Sequence, residues 1–371
     1  MWHQYSTIIL IPIPLHYQGR FTPLLLGSHK ENANDTDDML NRKYLIHGVC
    51  VESNLDFPEF TSLSTGCPDI VLLRESSHLA CLSSISDATL LLRGQYPRPL
   101  GGIESFTYYG FPDYYLATWH GLCEFQISRD GSRISCRPWA KVPWSDVRPF
   151  LVGRILPLAL NLRGTLTLHS GAVLLPNGAI ALAAKSGTGK STMLTALACM
   201  GYRLIADDML AVSERGVNIQ VELGTSQVRL TEESLRFLRS SLPPNQKIES
   251  DSDKVRVFLR EDTIPADPMP LQAVYLLNRR PEERGDTEIK TLPPKEALLA
   301  LAKNVSNLIL MERPQLSQQF AAISRLVQKV PVKTLSYSSG IETLPAVCQA
   351  LMEDQGIRGK PEGQVSFGVG V

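Results

Sequence analysis

The chain has 371 residues, 43% hydrophobic and 20% charged, with 37 basic side chains set against 37 acidic ones. That length fits one large domain or two of ordinary size, and the composition excludes global disorder. Balanced charge leaves no broad positive field, which argues against nucleic acid as the main partner.

In chain order, Ile8 to Leu15 is apolar, but Pro12 and Pro14 interrupt it and no basic cluster precedes it. It is too short to span a bilayer, so no membrane partner is expected. Glu31 to Asp38 is polar and acidic and reads as a linker. Residues 1–38 are therefore expected to be a poorly ordered leader, with Met39 as the true start. From 39 to 146, short apolar runs alternate with turn residues: Tyr44 to Val51, Ile70 to Leu73, Ala88 to Leu92, Tyr114 to Thr118, Cys123 to Ile127 and Arg133 to Arg137. This is the pattern of a mainly β module, with Arg129-Asp130-Gly131 as a hairpin turn. Neither a metal-spaced cluster nor a nucleophile motif is found in it.

Val147 to Leu162 is apolar at helical spacing, through Phe150, Leu151, Ile155, Leu156, Leu158 and Ala159, and predicts a helix joining two modules. Leu166 to Leu175 and Ala179 to Ala183 flank Pro176-Asn177-Gly178, a strong hairpin signal. Strands follow at Tyr202 to Ala206, Met209 to Val212, Val217 to Val221, Leu271 to Leu277 and Val332 to Tyr337. A helix capped by Thr231, with Glu232 and Glu233 in its first turn, is expected next to them. Further helices are expected at Pro294 to Lys303, Leu316 to Gln328 and Ile341 to Met352, with Leu316, Phe320, Ile323 and Val327 as one buried stripe. Residues 147–356 thus form a second domain, and 357–371 a tail. The seven cysteines, Cys50, Cys67, Cys81, Cys123, Cys136, Cys199 and Cys348, include no CxxC pair. Small buried hydrophobes in a reducing cytoplasm fit them best.

Chemistry concentrates at Ala184-Lys185-Ser186-Gly187-Thr188-Gly189-Lys190-Ser191, which matches the phosphate-binding P-loop pattern (Walker A) at every defining position but the first. Gly187 and Gly189 permit positive φ, which turns backbone N–H groups inward on phosphates, and a helix starting near Lys190 adds its positive end. Lys190 reaches the β- and γ-phosphates of ATP, and Ser191 offers its hydroxyl to Mg²⁺. Thr192 opens the helix after the loop, and the strand Ala179 to Ala183 before it supplies the context the motif needs. The strand at Tyr202 to Ala206 delivers Asp207 and Asp208. Two adjacent carboxylates at a strand end divide between metal binding and proton acceptance, and strand alternation sends their side chains to opposite sides. His169 lies on the hairpin leading to the loop. By spacing alone, a lone histidine beside an apolar run is a core residue.

Taken together, Leu168-His169-Ser170-Gly171-Ala172-Val173, the hairpin, Ser186 to Ser191, and Gly201-Tyr202-Arg203-Leu204-Ile205-Ala206-Asp207-Asp208 resemble the C-terminal catalytic domain of HPr serine kinase/phosphorylase and its relatives. Their fold is akin to that of ATP-type phosphoenolpyruvate carboxykinase. The resemblance is specific from about Leu166 to Val212 and continues by pattern to about Met352. It implies a mixed α/β P-loop domain behind a smaller, mainly β N-terminal module. It also implies phosphoryl transfer from Mg-ATP to a serine hydroxyl, with Asp207 as catalytic base, Asp208 as magnesium partner and His169 near the phosphates. Lys254, in Asp253-Lys254-Val255-Arg256, corresponds either to a basic residue the relatives carry later in the domain or to a solvated strand edge.

Residue 184 is alanine where that family has glycine, and the N-terminal module does not resemble the regulatory domain of HPr kinases. The layout is closer to relatives that modify peptides, lasso-peptide kinases among them, so the expected acceptor is a peptide or small protein. Homo-oligomerisation stays open. Two other readings remain: a kinase for a small metabolite, and a nucleotide-binding regulator without catalysis.

Overall fold

The computed structural model describes residues 41–57, 59–75, 88–97, 103–185, 187–225, 227–243, 246–251, 254–259, 269–280 and 286–357. The leader expected over 1–38, the start expected at Met39, Cys81, Ser186, Asp253 and the expected tail from 358 onward lie outside them.

Nine strands form the first sheet: β1 (Arg42–Ile46), β2 (Val49–Ser53), β3 (Thr61–Leu63), β4 (Ile70–Arg74), β5 (Thr89–Pro97), β6 (Ile103–Gly110), β7 (Tyr114–Trp119), β8 (Cys123–Ser128) and β9 (Arg133–Pro138). Their spatial order is β3-β1-β2-β4-β9-β8-β7-β6-β5, antiparallel except where β4 lies parallel to β2 and β9. The apolar run Tyr44 to Val51 folds as a hairpin of β1 and β2. His47 and Gly48 both take positive φ, at 51° and 81°, the geometry of a tight two-residue turn. The Arg129–Gly131 turn is where the sequence placed it. The Asp130 carboxylate accepts from the Ser132 backbone N–H at 3.0 Å and from the Ser132 hydroxyl at 2.8 Å.

The predicted joining helix extends from Trp144 to Leu162 as α1 (Trp144–Phe150), a π turn over Leu151–Ile155, and α2 (Leu156–Leu162). Val147, Leu151, Ile155, Leu158 and Ala159 are fully buried, in one cluster with Tyr44, Ile70, Phe125, Ile127 and Ile134 of the sheet. Along β8, buried and half-buried residues alternate strictly, so this sheet turns one face to the helix.

The chain then forms β10 (Leu166–Leu168), β11 (Ser170–Leu175), β12 (Gly178–Ala183), α3 (Lys190–Cys199), β13 (Arg203–Ala206), β14 (Leu210–Arg215), β15 (Asn218–Val221), β16 (Gln227–Leu230), α4 (Glu232–Leu238), β17 (Ile248–Asp251), β18 (Lys254–Phe258), β19 (Leu271–Arg280), β20 (Glu288–Thr291), α5 (Pro294–Ala302), α6 (Arg313–Lys329), β21 (Val332–Ser338) and α7 (Leu344–Asp354). Six strands make a central mixed sheet in the order β13-β11-β12-β19-β21-β20, with β12, β19 and β21 parallel. It is buried on both faces. Ile180 and Leu182 of β12 pack with α3, α4, α7 and the small sheet β16-β18-β17. Ala179, Ala181 and Ala183 pack with α5, α6 and the small sheet β10-β14-β15. The Thr231 cap is formed, its hydroxyl oxygen accepting from the Ser234 N–H at 3.2 Å.

The expected buried stripe on α6 is corrected. Leu316 and Phe320 are exposed, at 38% and 58%, while Gln319, Ile323 and Leu326 are buried. The face rotates because the Gln319 amide donates to the carbonyl of Thr165 at 3.2 Å, satisfying a polar group inside the core. Among the described residues, no helix is long and apolar enough to cross a membrane, and no disulfide joins the six cysteines.

Candidate functional site

The site lies at the end of β12, where Ala183 hands the chain to the loop and α3 begins at Lys190. Ala184, 7% exposed, belongs to the core on the α3 side, so the methyl group that replaces the expected glycine is packed rather than strained. Gly187 and Gly189 take φ of 81° and 103°, the left-handed geometry that the loop spacing calls for. The Lys185 carbonyl accepts from the Thr188 N–H at 3.2 Å and from its hydroxyl at 2.8 Å, closing the loop on itself. Tyr337, at the end of β21, donates its hydroxyl to the Thr188 carbonyl at 2.7 Å and so anchors the loop to the central sheet. Nothing in the local sequence marks Tyr337 for this task.

Close packing sets the next distances. A Cβ on Gly171 of β11 would stand 2.3 Å from Leu194 Cδ1 of α3 and 2.8 Å from the Ala206 carbonyl of β13. Glycine at that position lets helix and strand converge, which brings Lys190 and the two aspartates together. The Lys190 ammonium, 7% exposed, pairs with Asp207 Oδ1 and with Asp208 Oδ1, the latter at 2.9 Å.

The expected divergence of the two carboxylates does not occur. Strand β13 ends at Ala206, and Asp208 takes φ 67°, turning the chain so that both side chains meet one ammonium. Aspartate tolerates the left-handed region better than most residues, and such strain collects at functional sites. Asp207 is enclosed. Its Oδ1 also accepts the Asp208 N–H at 2.9 Å, while Oδ2 is buried with no hydrogen-bond partner. Asp208 keeps 55% of its side chain open to solvent.

Charge follows geometry. Burial works to lower the Lys190 pKa, but the attraction of Asp207 and then Asp208 outweighs it and raises the ammonium above its ordinary value. The Lys190 charge, opposed by burial and aided by His169 and Arg229, holds Asp208 well below the usual carboxylate range. His169 is lowered by burial first and by Lys190 second, so its ring is neutral near pH 7. Its Nδ1 lies 3.0 Å from the Asp208 carbonyl, which can only accept. The proton therefore sits on Nδ1, and Nε2 keeps its lone pair. The His169 backbone N–H donates to the Asn304 carbonyl at 2.6 Å, fixing the break between β10 and β11.

Ser191 and Thr192 are half-buried on the first turn of α3. The Thr192 hydroxyl lies 3.0 Å from that of Ser234 on α4, a contact that ties the helix to its neighbour. Lys254 opens β18, half-buried, opposite Asp251 of β17. Among the described residues, no three of His, Cys, Asp or Glu come together as a metal-ligand set. The hydroxyl of Ser191 and the exposed carboxylate of Asp208 are hard oxygen donors of the kind Mg²⁺ takes, so these residues fit that ion and would hold it together with oxygens of a bound phosphate.

No protein-family model matches the chain, and no curated protein sequence does. Among solved structures, the Hpr(Ser) kinase/phosphatase from Coxiella burnetii aligns over 52% of this chain and 99% of that one, at 10% identity and a TM-score of 0.27. A likeness at that level decides neither fold nor chemistry, and both rest on the residues described above.

Proposed function

We propose that the protein is a Mg-ATP-dependent kinase that transfers a phosphoryl group to a serine hydroxyl of a peptide or small protein. The observation that carries this reading is Lys190, at the start of a helix behind two left-handed glycines, paired with both carboxylates at the end of the adjacent strand. Backbone N–H groups from Gly187 to Ser191 and the positive end of α3 receive the phosphates. Lys190 supports the β- and γ-phosphates. Asp208, too weak a base to hold a proton near neutral pH, holds Mg²⁺ with Ser191. The ion supplies neutralisation of charge on the transferring group. Asp207 is the base that takes the acceptor hydroxyl's proton, and the neutral His169 borders the same cleft. Residues 39–146 and 147–356 are read as two modules, the second carrying the catalytic residues.

Titration with a fluorescent ATP analogue, beside a transfer assay with labelled ATP and serine peptides, tests this. Lys190→Ala is expected to lose nucleotide affinity with its fold intact. Asp207→Asn is expected to bind nucleotide and transfer about 10²- to 10⁴-fold more slowly, the range for loss of a general base. Unchanged affinity in Lys190→Ala would falsify the whole reading. Nucleotide binding by the wild type without transfer to any acceptor would leave a regulator in place of an enzyme.

A further inference from the structure

The helical segment that joins the two halves of the chain carries a cation with no role so far. Its middle, Leu151–Ile155, is a π turn, and single π turns inside helices gather at functional sites. Leu151 and Ile155 are held in the core of the nine-stranded sheet, while Gly153 and Arg154 between them are exposed. A Cβ on Gly153 would meet no packed neighbour within 4 Å, so this corner borders open space. Among the described residues, the Arg154 guanidinium has neither an ion pair nor a hydrogen bond.

A short series of contacts fixes this corner against the site. The Asn307 side chain donates to the Arg154 carbonyl at 3.1 Å, and Asn307 takes φ 58° to do so. The same turn runs along β10: the Ser306 N–H donates to the Thr167 carbonyl at 3.1 Å, and the Asn304 carbonyl accepts the His169 N–H at 2.6 Å. The turn 304–307 therefore touches the joining helix on one side and His169, the neighbour of Asp208, on the other. The Arg154 charge acts on the His169 ring and on Tyr108 of β6, so the guanidinium is turned toward the border of the cleft. Asp207 and Asp208 are already paired with Lys190. The two cations stand on different sides. Helix α3, which starts with Lys190, covers one face of the six-stranded sheet, and β10, which leads to His169, belongs to the layer on the other. In an in-line transfer the acceptor hydroxyl approaches opposite the nucleotide, so a cation on the His169 side meets the acceptor rather than the triphosphate.

We infer that the Arg154 guanidinium holds a carboxylate of the phosphoacceptor, which makes the acceptor a peptide with an acidic residue close to its serine. This rests on the kinase reading and adds the substrate class to it. The loop and the aspartates serve any serine that reaches Asp207, and Arg154 chooses among them.

The test uses the full chain, labelled ATP with magnesium, and serine peptides in which one glutamate is walked through the positions flanking the serine, each beside its glutamine version. At one position or more, the wild type is expected to show a KM about 10-fold lower for the glutamate peptide, as a charge-assisted hydrogen bond gives. Arg154→Met is expected to erase that difference while kcat, ATP affinity and the KM of the glutamine peptide stay within about 2-fold of wild type. Arg154→Glu is expected to reverse it, so that lysine at the same position is preferred to glutamate. Equal KM values for both peptides at every position in the wild type overturn the inference and leave the kinase reading intact. A preference that survives Arg154→Met overturns it too, since another cation then reads the acid. So does an equal loss for both peptides, which is the mark of a residue that only shapes the site. If the wild type transfers phosphate to none of the peptides, the kinase reading falls and this inference falls with it.

Discussion

The two large sheets of this molecule are built from different side chains. The nine-stranded sheet has one main core, filled by large residues such as Tyr44, Phe57, Phe106, Tyr115, Trp119 and Phe125. The six-stranded sheet is covered on both sides, and Ala172, Ala179, Ala181 and Ala183 line one of its faces. Aromatic rings in edge-to-face contact, as Trp119 and Phe125 are, fill a thick one-sided core. Small residues let layers approach. Gly171 between α3 and β13 carries that to its limit, and the chemistry stands where the layers are closest. One sheet therefore contributes stability through bulk, and the other contributes geometry through the lack of it.

The strongest way to break this division is to remove bulk from the first sheet and watch the site. Phe125 is fully buried, and Phe125→Ala is expected to cost about 3–5 kcal/mol of stability, read as a lower urea midpoint. Nucleotide affinity, measured where the variant is still folded, should stay at the wild-type value. A parallel loss of affinity means that the nine-stranded sheet also shapes the site.

A smaller effect sits where the two regions touch. His47, in the β1-β2 turn, is 2% exposed, with neither ring nitrogen bonded, and its backbone N–H donates to the Leu223 carbonyl at 2.9 Å. A Cβ on Gly224 would fall 2.6 Å from its ring and 2.9 Å from the Ala206 methyl, so the histidine stands beside the strand that ends in the aspartates. Burial pushes its pKa down to about 3. The folded state therefore binds fewer protons than the unfolded chain between pH 6.5 and 3. The stability this group contributes is complete above 6.5 and is lost as pH falls through that window. By pH 5 the loss is about 2 kcal/mol. Melting curves of wild type and His47→Gln at pH 7.5 and 5 check it: the wild type should lose more stability than the variant, and equal losses would rule out His47.

How much of this was legible in the sequence depends on how local each cause is. The loop's glycines, the Pro176-Asn177 hairpin and the Thr231 cap are set by neighbours a few residues away, and each is where the sequence put it. The α6 stripe was misread because Gln319 is buried by carbonyls more than 150 positions distant. The meeting of Asp207 and Asp208 depends on one backbone angle at Asp208, which no alternation rule contains.

Tyr337 gives the smallest effect, and it separates anchoring from chemistry. Its ring is buried in the core on the α3 side, and burial raises its hydroxyl pKa to about 12, so it is a neutral donor over the working pH range. Its one evident task is the 2.7 Å bond to the Thr188 carbonyl. Tyr337→Phe keeps the ring and removes the bond, which is expected to cost about 1 kcal/mol. If that energy holds the loop in its receptive shape, nucleotide affinity falls by about 5-fold while the transfer rate at saturating ATP does not change. If it only stabilises the fold, the melting temperature falls by a few degrees and affinity stays the same. A lowered saturated rate fits neither outcome and would place Tyr337 in contact with the reacting groups.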